Sequence, residues 1–167
     1  MQNKIEHLYF DMDGLLCNFN KKCIEIMGHV FDEENAKKCW KKISETSDFW
    51  ISLECYDKLD QFLDTIIPIL NEKNINYHIL TGTSSSSECE RDKIIWVNKN
   101  ISKWFQPHHV HLCKSKNKKF YATPNSILID DRPSNIEDWS EHGGVSIWHN
   151  SDHETYDELL QKIIAII

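Results

Sequence analysis

Asp11 and Asp13 stand one residue apart and are followed by Gly14, directly after an apolar run over residues 5–10. A short run of this kind predicts a buried strand, and the glycine permits a sharp turn out of it. The first carboxylate then sits at the carboxyl end of a parallel strand, the edge at which open α/β sheets bind ligands. Two acids crowded there repel each other, and a divalent cation, a shared proton or a covalent chemistry is needed to make the crowding tolerable. The pattern recurs along the chain. Thr81-Gly82-Thr83 follows a predicted strand over 75–80, and Asp130-Asp131 follows one over 126–129. With the three strand ends on one edge, four carboxylates, a hydroxyl and at least one lysine from the segment 114–119 converge on a single pocket.

Each of these groups suits phosphoryl transfer. A carboxylate can attack phosphorus and form an aspartyl-phosphate. A hard cation such as Mg²⁺ takes oxygen ligands from one or two carboxylates and the substrate phosphate, and offsets the repulsion between two anions. A hydroxyl and backbone amides bind the equatorial oxygens of the transferring group. A lysine adds a point positive charge beside nucleophile and phosphate. Lys114, Lys116, Lys118 and Lys119 all stand in the right stretch for that role.

The elements that must position these groups alternate along the chain. Strands are predicted over 5–10, 75–80, 109–112, 126–129 and 145–148, and helices over 18–27, 33–44, 56–73, 88–98, from Pro133 to Gly143-Gly144, and over 153–167. The helix over 56–73 rests on Leu59, Phe62, Leu63, Ile66, Ile67 and Leu70 at helical spacing, and Pro68 inside it is expected to kink or break it. Such alternation predicts an α/β, Rossmann-like, doubly wound parallel sheet. Residues 18–54 carry no strand pattern and are read as a small helical cap inserted after the first strand, with 1–17 and 55–167 forming the core domain.

Composition narrows the function classes. A chain of 167 residues with net charge −7 is expected to bind no long nucleic acid, although a bound cation leaves small anionic substrates open. No apolar run reaches membrane-spanning length, and the polar residues 1–7 do not read as a signal peptide. The six cysteines are scattered without a CxxC pair and are read as reduced thiols in a cytoplasmic protein. His108, His109 and His111 have no acid or cysteine at ligand spacing, so zinc is not expected. Trp40 and Trp96 are read as core residues, and Arg132 and Asn135 as groups that hydrogen-bond at a helix start.

The stretches Asp11-Met12-Asp13-Gly14-Leu15-Leu16, Ile79-Leu80-Thr81-Gly82, a lysine, and Ile127-Leu128-Ile129-Asp130-Asp131 resemble, in order, the four motifs of the haloacid dehalogenase-like (HAD) phosphatases. The resemblance spans essentially the whole chain. It implies that Asp11 is the nucleophile and a Mg²⁺ ligand, and that Asp13 is the general acid/base, with its backbone carbonyl on the metal. It further implies that Thr81, with Gly82 and Thr83, binds phosphate, that Asp130 is the third protein ligand of the metal, and that Asp131 supports the site. Lys118 stands four residues before Ala122, as the motif lysine does in related phosphatases, which favours it over its neighbours.

A narrower likeness involves Phe19, Phe49-Trp50 and Lys93-Ile94-Ile95-Trp96-Val97, which are similar to the 5′(3′)-deoxyribonucleotidases and their phage and bacterial relatives. It implies that Lys93 is a second phosphate contact and that Phe19, Phe49 and Trp50 line a base pocket. The chain departs from that group in having Thr81-Gly82-Thr83 for Thr-Ser-Pro and a shorter cap. The expectation is therefore a Mg²⁺-dependent phosphomonoesterase whose partner is a small phosphorylated substrate, a nucleotide for preference; a homodimer is compatible with this. The alternatives are a polynucleotide 3′-end, a sugar phosphate or a phosphoprotein as substrate, or a noncatalytic phospholigand-binding module.

Overall fold

The computed structural model describes residues 4–167. Five strands, β1 (His7–Phe10), β2 (Asn76–Gly82), β3 (Val110–Cys113), β4 (Ser126–Asp130) and β5 (Val145–Trp148), pair in the order β3-β2-β1-β4-β5, with every pairing parallel. Six α-helices accompany them: α1 (Phe19–Met27), α2 (Ala36–Ser44), α3 (Leu59–Glu72), α4 (Ser87–Asn100), α5 (Pro133–Glu141) and α6 (Tyr156–Ile164). The α/β parallel sheet expected from the sequence is the one observed. No described helix is long and apolar enough to cross a membrane.

Side chains alternate across a strand, so β1 sends Leu8 and Phe10 to one face and Tyr9 to the other. Leu8 and Phe10 join Ile79, Ile129 and Ile147 in the main core, which α3, α4 and α6 cover with residues such as Leu63, Val97 and Leu159. Tyr9, Leu80 and Leu128 meet Trp139 of α5 on the opposite face. Burial on both faces explains why these strands read as apolar runs. β1 is central, with Phe10 opposite both Ile79 and Ile129, so the residues that follow β1, β2 and β4 emerge side by side.

Several local expectations are corrected. Helix α3 runs through Pro68, so of the two expected outcomes, a kink or a break, the break does not occur. Pro68 lies on the exposed side of the helix and Asp64, four residues back, is exposed too, so water can satisfy the carbonyl that loses its amide partner. The stretch 33–44 divides into a 3₁₀ turn at Glu33–Asn35 followed by α2. The basic segment after β3 is a 3₁₀ helix, Ser115–Tyr121, which turns Lys118 inward and leaves Lys114 and Lys116 exposed. Helix α6 starts at Tyr156 because Thr155 and Glu158 form a reciprocal capping box there. Strands β2 and β4 extend far enough to include Thr81 and Asp130.

Two histidines make the fold sensitive to acid. His78 stacks on Tyr9 with ring centroids 4.8 Å apart and hydrogen-bonds to His7 and His111, each at 3.1 Å. His149 is fully buried, and neither ring nitrogen has a hydrogen-bond partner among the described residues. Burial, above all, pushes both imidazoles down to about 4. In the unfolded chain they titrate near 6.5. Between those values the unfolded chain binds more protons, so the stability from neutral burial is present above about pH 6.5 and is lost as pH falls through about 4. The urea midpoint should therefore fall from about pH 7 to about pH 4, and His149→Phe should flatten part of that slope. An unchanged slope in the variant would remove His149 from the account.

Candidate active site

At the end of β1 the chain turns tightly. The carbonyl of Met12 accepts the amides of Leu15, Leu16 and Cys17 at 3.3, 2.8 and 3.1 Å, which holds Asp11 and Asp13 at the sheet edge. Gly14 sits at φ 76°, and a Cβ placed there would lie 2.2 Å from Oδ2 of Asp131. The glycine is thus required twice, by its left-handed backbone and by the carboxylate that fills its side-chain space.

Each acid of the first pair has its own ammonium. Lys118, only 2% exposed, places Nζ 2.7 Å from Oδ1 of Asp11 and 2.7 Å from Oδ2 of Asp130. Lys93, from α4, is 0% exposed and donates to Oδ2 of Asp13 (2.5 Å), Oγ1 of Thr81 (2.8 Å) and the carbonyl of Gly82 (2.9 Å). Its Nζ also lies 4.6 Å from the ring centre of Trp50, a cation–π contact. Burial pulls both lysines down, but the facing carboxylates more than reverse this and leave them above the usual ammonium value. Both therefore stay charged at neutral pH.

Asp130 is held from several sides. Oδ1 accepts from the Arg132 amide (2.9 Å) and Asn135 Nδ2 (3.0 Å), and Oδ2 accepts from Asn135 (2.9 Å) as well as Lys118. Asp131 differs: its carbonyl accepts from Trp148 Nε1 at 2.9 Å, while its carboxylate has no hydrogen-bond donor among the described residues. Carboxylate oxygens of Asp11, Asp130 and Asp131 lie within 4.8 Å of one another. Burial, followed by repulsion from Asp130, pushes Asp11 up to about 7. Burial, followed by repulsion from Asp11 and Asp130, pushes Asp131 up to about 8. Hard oxygen donors crowded this closely match what a cation such as Mg²⁺ takes, and a divalent charge among them offsets the repulsion.

The acids open into a cavity of about 340 Å³. Asp11, Asp13, Asp131 and Lys118 lie at one end, beside Gly82 and Thr83. Phe19, Phe31, Trp40 and Trp50 line another side, and an ion pair of 3.1 Å between Arg132 and Glu33 bridges the wall. Thr81 lies behind the cavity wall, fully buried, with its hydroxyl taken by Lys93. Among the competing lysines, Lys114 donates to the carbonyl of Ser84 and Lys119 lies 3.9 Å from Asp138, so Lys118 alone of the four approaches the acids.

Two aromatic assignments change. Phe49 does not line this cavity; it is 2% exposed and packs edge-on against Phe19 and Trp50, with centroids 5.7 and 5.0 Å away. Trp40, expected in the core, is 40% exposed and lines the cavity beside Phe31, which sequence reasoning missed. A signal for Trp40 existed: it is a lone tryptophan in a helix whose neighbours are Lys37, Lys38, Lys41 and Lys42. Trp96 is buried as expected and donates to the carbonyl of Leu53. Asn135 braces Asp130 through its side chain, and Ser115 in turn donates to Asn135 at 3.0 Å.

Residues 4–75 match a family described as "Protein of unknown function (DUF3242)", a span that holds Asp11 and Asp13 and stops before Thr81. Among curated proteins, none matches the chain. Solved structures do. A haloacid dehalogenase-like family hydrolase from Xanthomonas campestris is similar with a TM-score of 0.63 at 10% identity, over 97% of this chain and 91% of that one. A predicted phosphatase from Clostridium acetobutylicum gives 0.60 at 14% identity, over 98% and 100%. A HAD family enzyme from Bacteroides thetaiotaomicron, in complex with magnesium and inorganic phosphate, gives 0.56 at 19% identity, over 93% and 98%. At these identities the likeness establishes the fold, which is that of HAD-superfamily hydrolases and phosphatases.

Gly14→Ala tests the packing at the centre of this site. The added methyl must displace the Asp131 carboxylate, and the left-handed backbone costs a further ~1–2 kcal/mol. A lower melting temperature is expected, and a wild-type value would contradict the geometry.

Proposed function

We propose that this chain is a Mg²⁺-dependent phosphomonoesterase that works through an aspartyl-phosphate on Asp11, with nucleoside monophosphates, deoxy for preference, as substrates. The observation that carries the reading is the division of the two motif-one acids: Asp11 pairs with Lys118 and Asp13 with Lys93, through separate ammonium groups. Two acids with different partners suit two different roles.

In this reading the phosphate enters the cavity beside Asp11, Gly82, Thr83 and Lys118. Oδ of Asp11 attacks phosphorus in line with the departing oxygen, which Asp13 protonates. Asp13 then takes a proton from water as the water attacks the acyl phosphate. Lys118 holds Asp11 in place and balances charge on the transferring group, and Lys93 fixes the Asp13 carboxylate against Thr81. When bound, Mg²⁺ supplies Lewis-acid stabilisation of the phosphoryl oxygens. The resemblance assigns its protein ligands to Asp11, the Asp13 carbonyl and Asp130. The hydrogen bonds favour Asp131 for the third position, since its carboxylate meets no donor among the described residues while Asp130 holds Lys118 and Asn135.

The cavity is of the size that small-molecule sites occupy. Its aromatic side, built from the 18–54 segment that we assign as the cap, offers flat apolar surface on which a base can stack. Trp40 is the exposed member of that surface and Phe31 a half-buried one, while Phe49 packs behind Phe19 and Trp50 rather than lining the cavity.

A panel of phosphomonoesters with Mg²⁺ tests the reading: deoxynucleoside 5′- and 3′-monophosphates, a 3′-phosphorylated oligonucleotide, sugar phosphates and a phosphopeptide. Release of phosphate from the mononucleotides, abolished by a chelator and by Asp11→Asn, is expected; no release from any substrate would overturn the enzyme. Asp13→Asn should lower kcat by about 10²–10⁴-fold. Asp131→Asn should raise the Mg²⁺ requirement more than it alters substrate affinity. Trp40→Ala should raise KM for a mononucleotide by about tenfold, the cost of one lost stacking contact, with little effect on a sugar phosphate. Equal effects on the two would remove base stacking from the account.

A further inference from the structure

The segment 18–54 joins the core through two chain crossings, and a cysteine stands at each, Cys17 and Cys55. The two crossings pair as an isolated antiparallel bridge with Cys17 opposite Cys55. The flanking hydrogen bonds are Asn18 N to Glu54 O at 2.8 Å and Tyr56 N to Leu16 O at 3.4 Å. They make Cys17 and Cys55 a non-hydrogen-bonded pair, the arrangement in which facing Cα atoms approach to about 4.5 Å and side chains are closest. That separation lies within the range a disulfide spans, roughly 4.4–6.8 Å.

We propose that Cys17 and Cys55 form a covalent modification site, a disulfide that closes across the hinge of the 18–54 segment when the protein meets a low-molecular-weight disulfide. Cys55 is exposed and borders an open groove lined by Tyr56, Asp57 and Asp152, so it is the thiol that meets the oxidant. Its thiolate attacks one sulfur of the small disulfide; that S–S bond breaks, a mixed disulfide forms on Cys55, and the first small thiol leaves. The Cys17 sulfur then attacks Sγ of Cys55, its proton passing to the second small thiol as that leaves. Two protein thiols are oxidised, one small disulfide is reduced to two thiols, and the two thiol protons end on the released molecules.

The site is coupled to the acids. Sγ of Cys17 lies 3.5 Å from Oδ1 of Asp13 and 3.5 Å from the carbonyl of Met12. Bonding to Cys55 draws the sulfur away from Asp13 and ties both crossings together beside the acids. Turnover should fall, a consequence that rests on the phosphatase reading; formation of the bond does not. Cys23 on α1 and Cys39 on α2 are both buried, so neither meets the oxidant first.

The experiment treats the full native chain with oxidised glutathione, maps disulfide-linked peptides by mass spectrometry, and assays phosphate release before and after reduction. A Cys17–Cys55 linkage, with loss of most of the turnover and its recovery on reduction, is expected. In Cys55→Ser both the linkage and the loss should vanish while turnover of the reduced protein is unchanged. A stable glutathione adduct on Cys55, or a linkage between other cysteines, overturns the site. Linkage without loss of turnover in an active preparation overturns the coupling to the acids. A reduced protein that hydrolyses nothing counts against the phosphatase reading, and the disulfide then stands or falls by the peptide map alone.

Discussion

Four carboxylates and two buried ammonium groups meet at one edge of the sheet, and the two ammonium groups offset three of the acids. A lone buried ion costs several kcal/mol in real proteins, so removal of a single partner exposes a large penalty. Lys118 spans Asp11 and Asp130, and Lys93 secures Asp13. Much of the surrounding structure follows from keeping these contacts. The central position of β1 lets β2 and β4 deliver Thr81 and Asp130 on either side of Asp11. The 3₁₀ helix after β3 turns one lysine of a basic run inward. Gly14 leaves room for Asp131 where any side chain would collide with it.

The same pairing breaks the symmetry of the two motif-one acids. Asp11 is buried at the strand end, and repulsion from Asp130 adds to burial in raising its proton affinity. Asp13 is nearer the surface and is locked to Lys93, which also touches Thr81, Gly82 and the face of Trp50. Lys93 therefore links the sheet edge to the aromatic wall, since Trp50 stacks beside Phe19 and Trp40 at centroid distances of 5.9 and 6.5 Å. A change at Trp50 is thus felt at Asp13 through Lys93.

Strands and acids were legible in the sequence because the central parallel strands, buried on both faces, read as largely apolar runs, and the acids follow at the ends of β1 and β4. Side-chain destinations were less legible. Lys93 sits in α4 beside the apolar Ile94 and Ile95, and only its arrival over Asp13, eighty residues earlier in the chain, decides that it is buried rather than solvated. Asp130 and Asp131 are adjacent and chemically identical, so their different partners became visible only with the turn that sends one toward Asn135 and the other toward Gly14. Trp40 and Phe49 were exchanged for a similar reason: residue type and the resemblance cannot tell an aromatic that faces a cavity from one packed behind it. Pro68 does not break its helix because the carbonyl it frees, that of Asp64, lies on the exposed side.

The phosphoryl group itself tests the central claim most directly. Rapid acid quenching of the protein during turnover of a ³²P-labelled deoxynucleoside monophosphate, followed by peptide mapping, should find the label on Asp11 as an acid-stable, base-labile acyl phosphate. Label on any other residue would contradict the assignment of Asp11 as nucleophile, as would rapid product formation with no labelled protein at any time point.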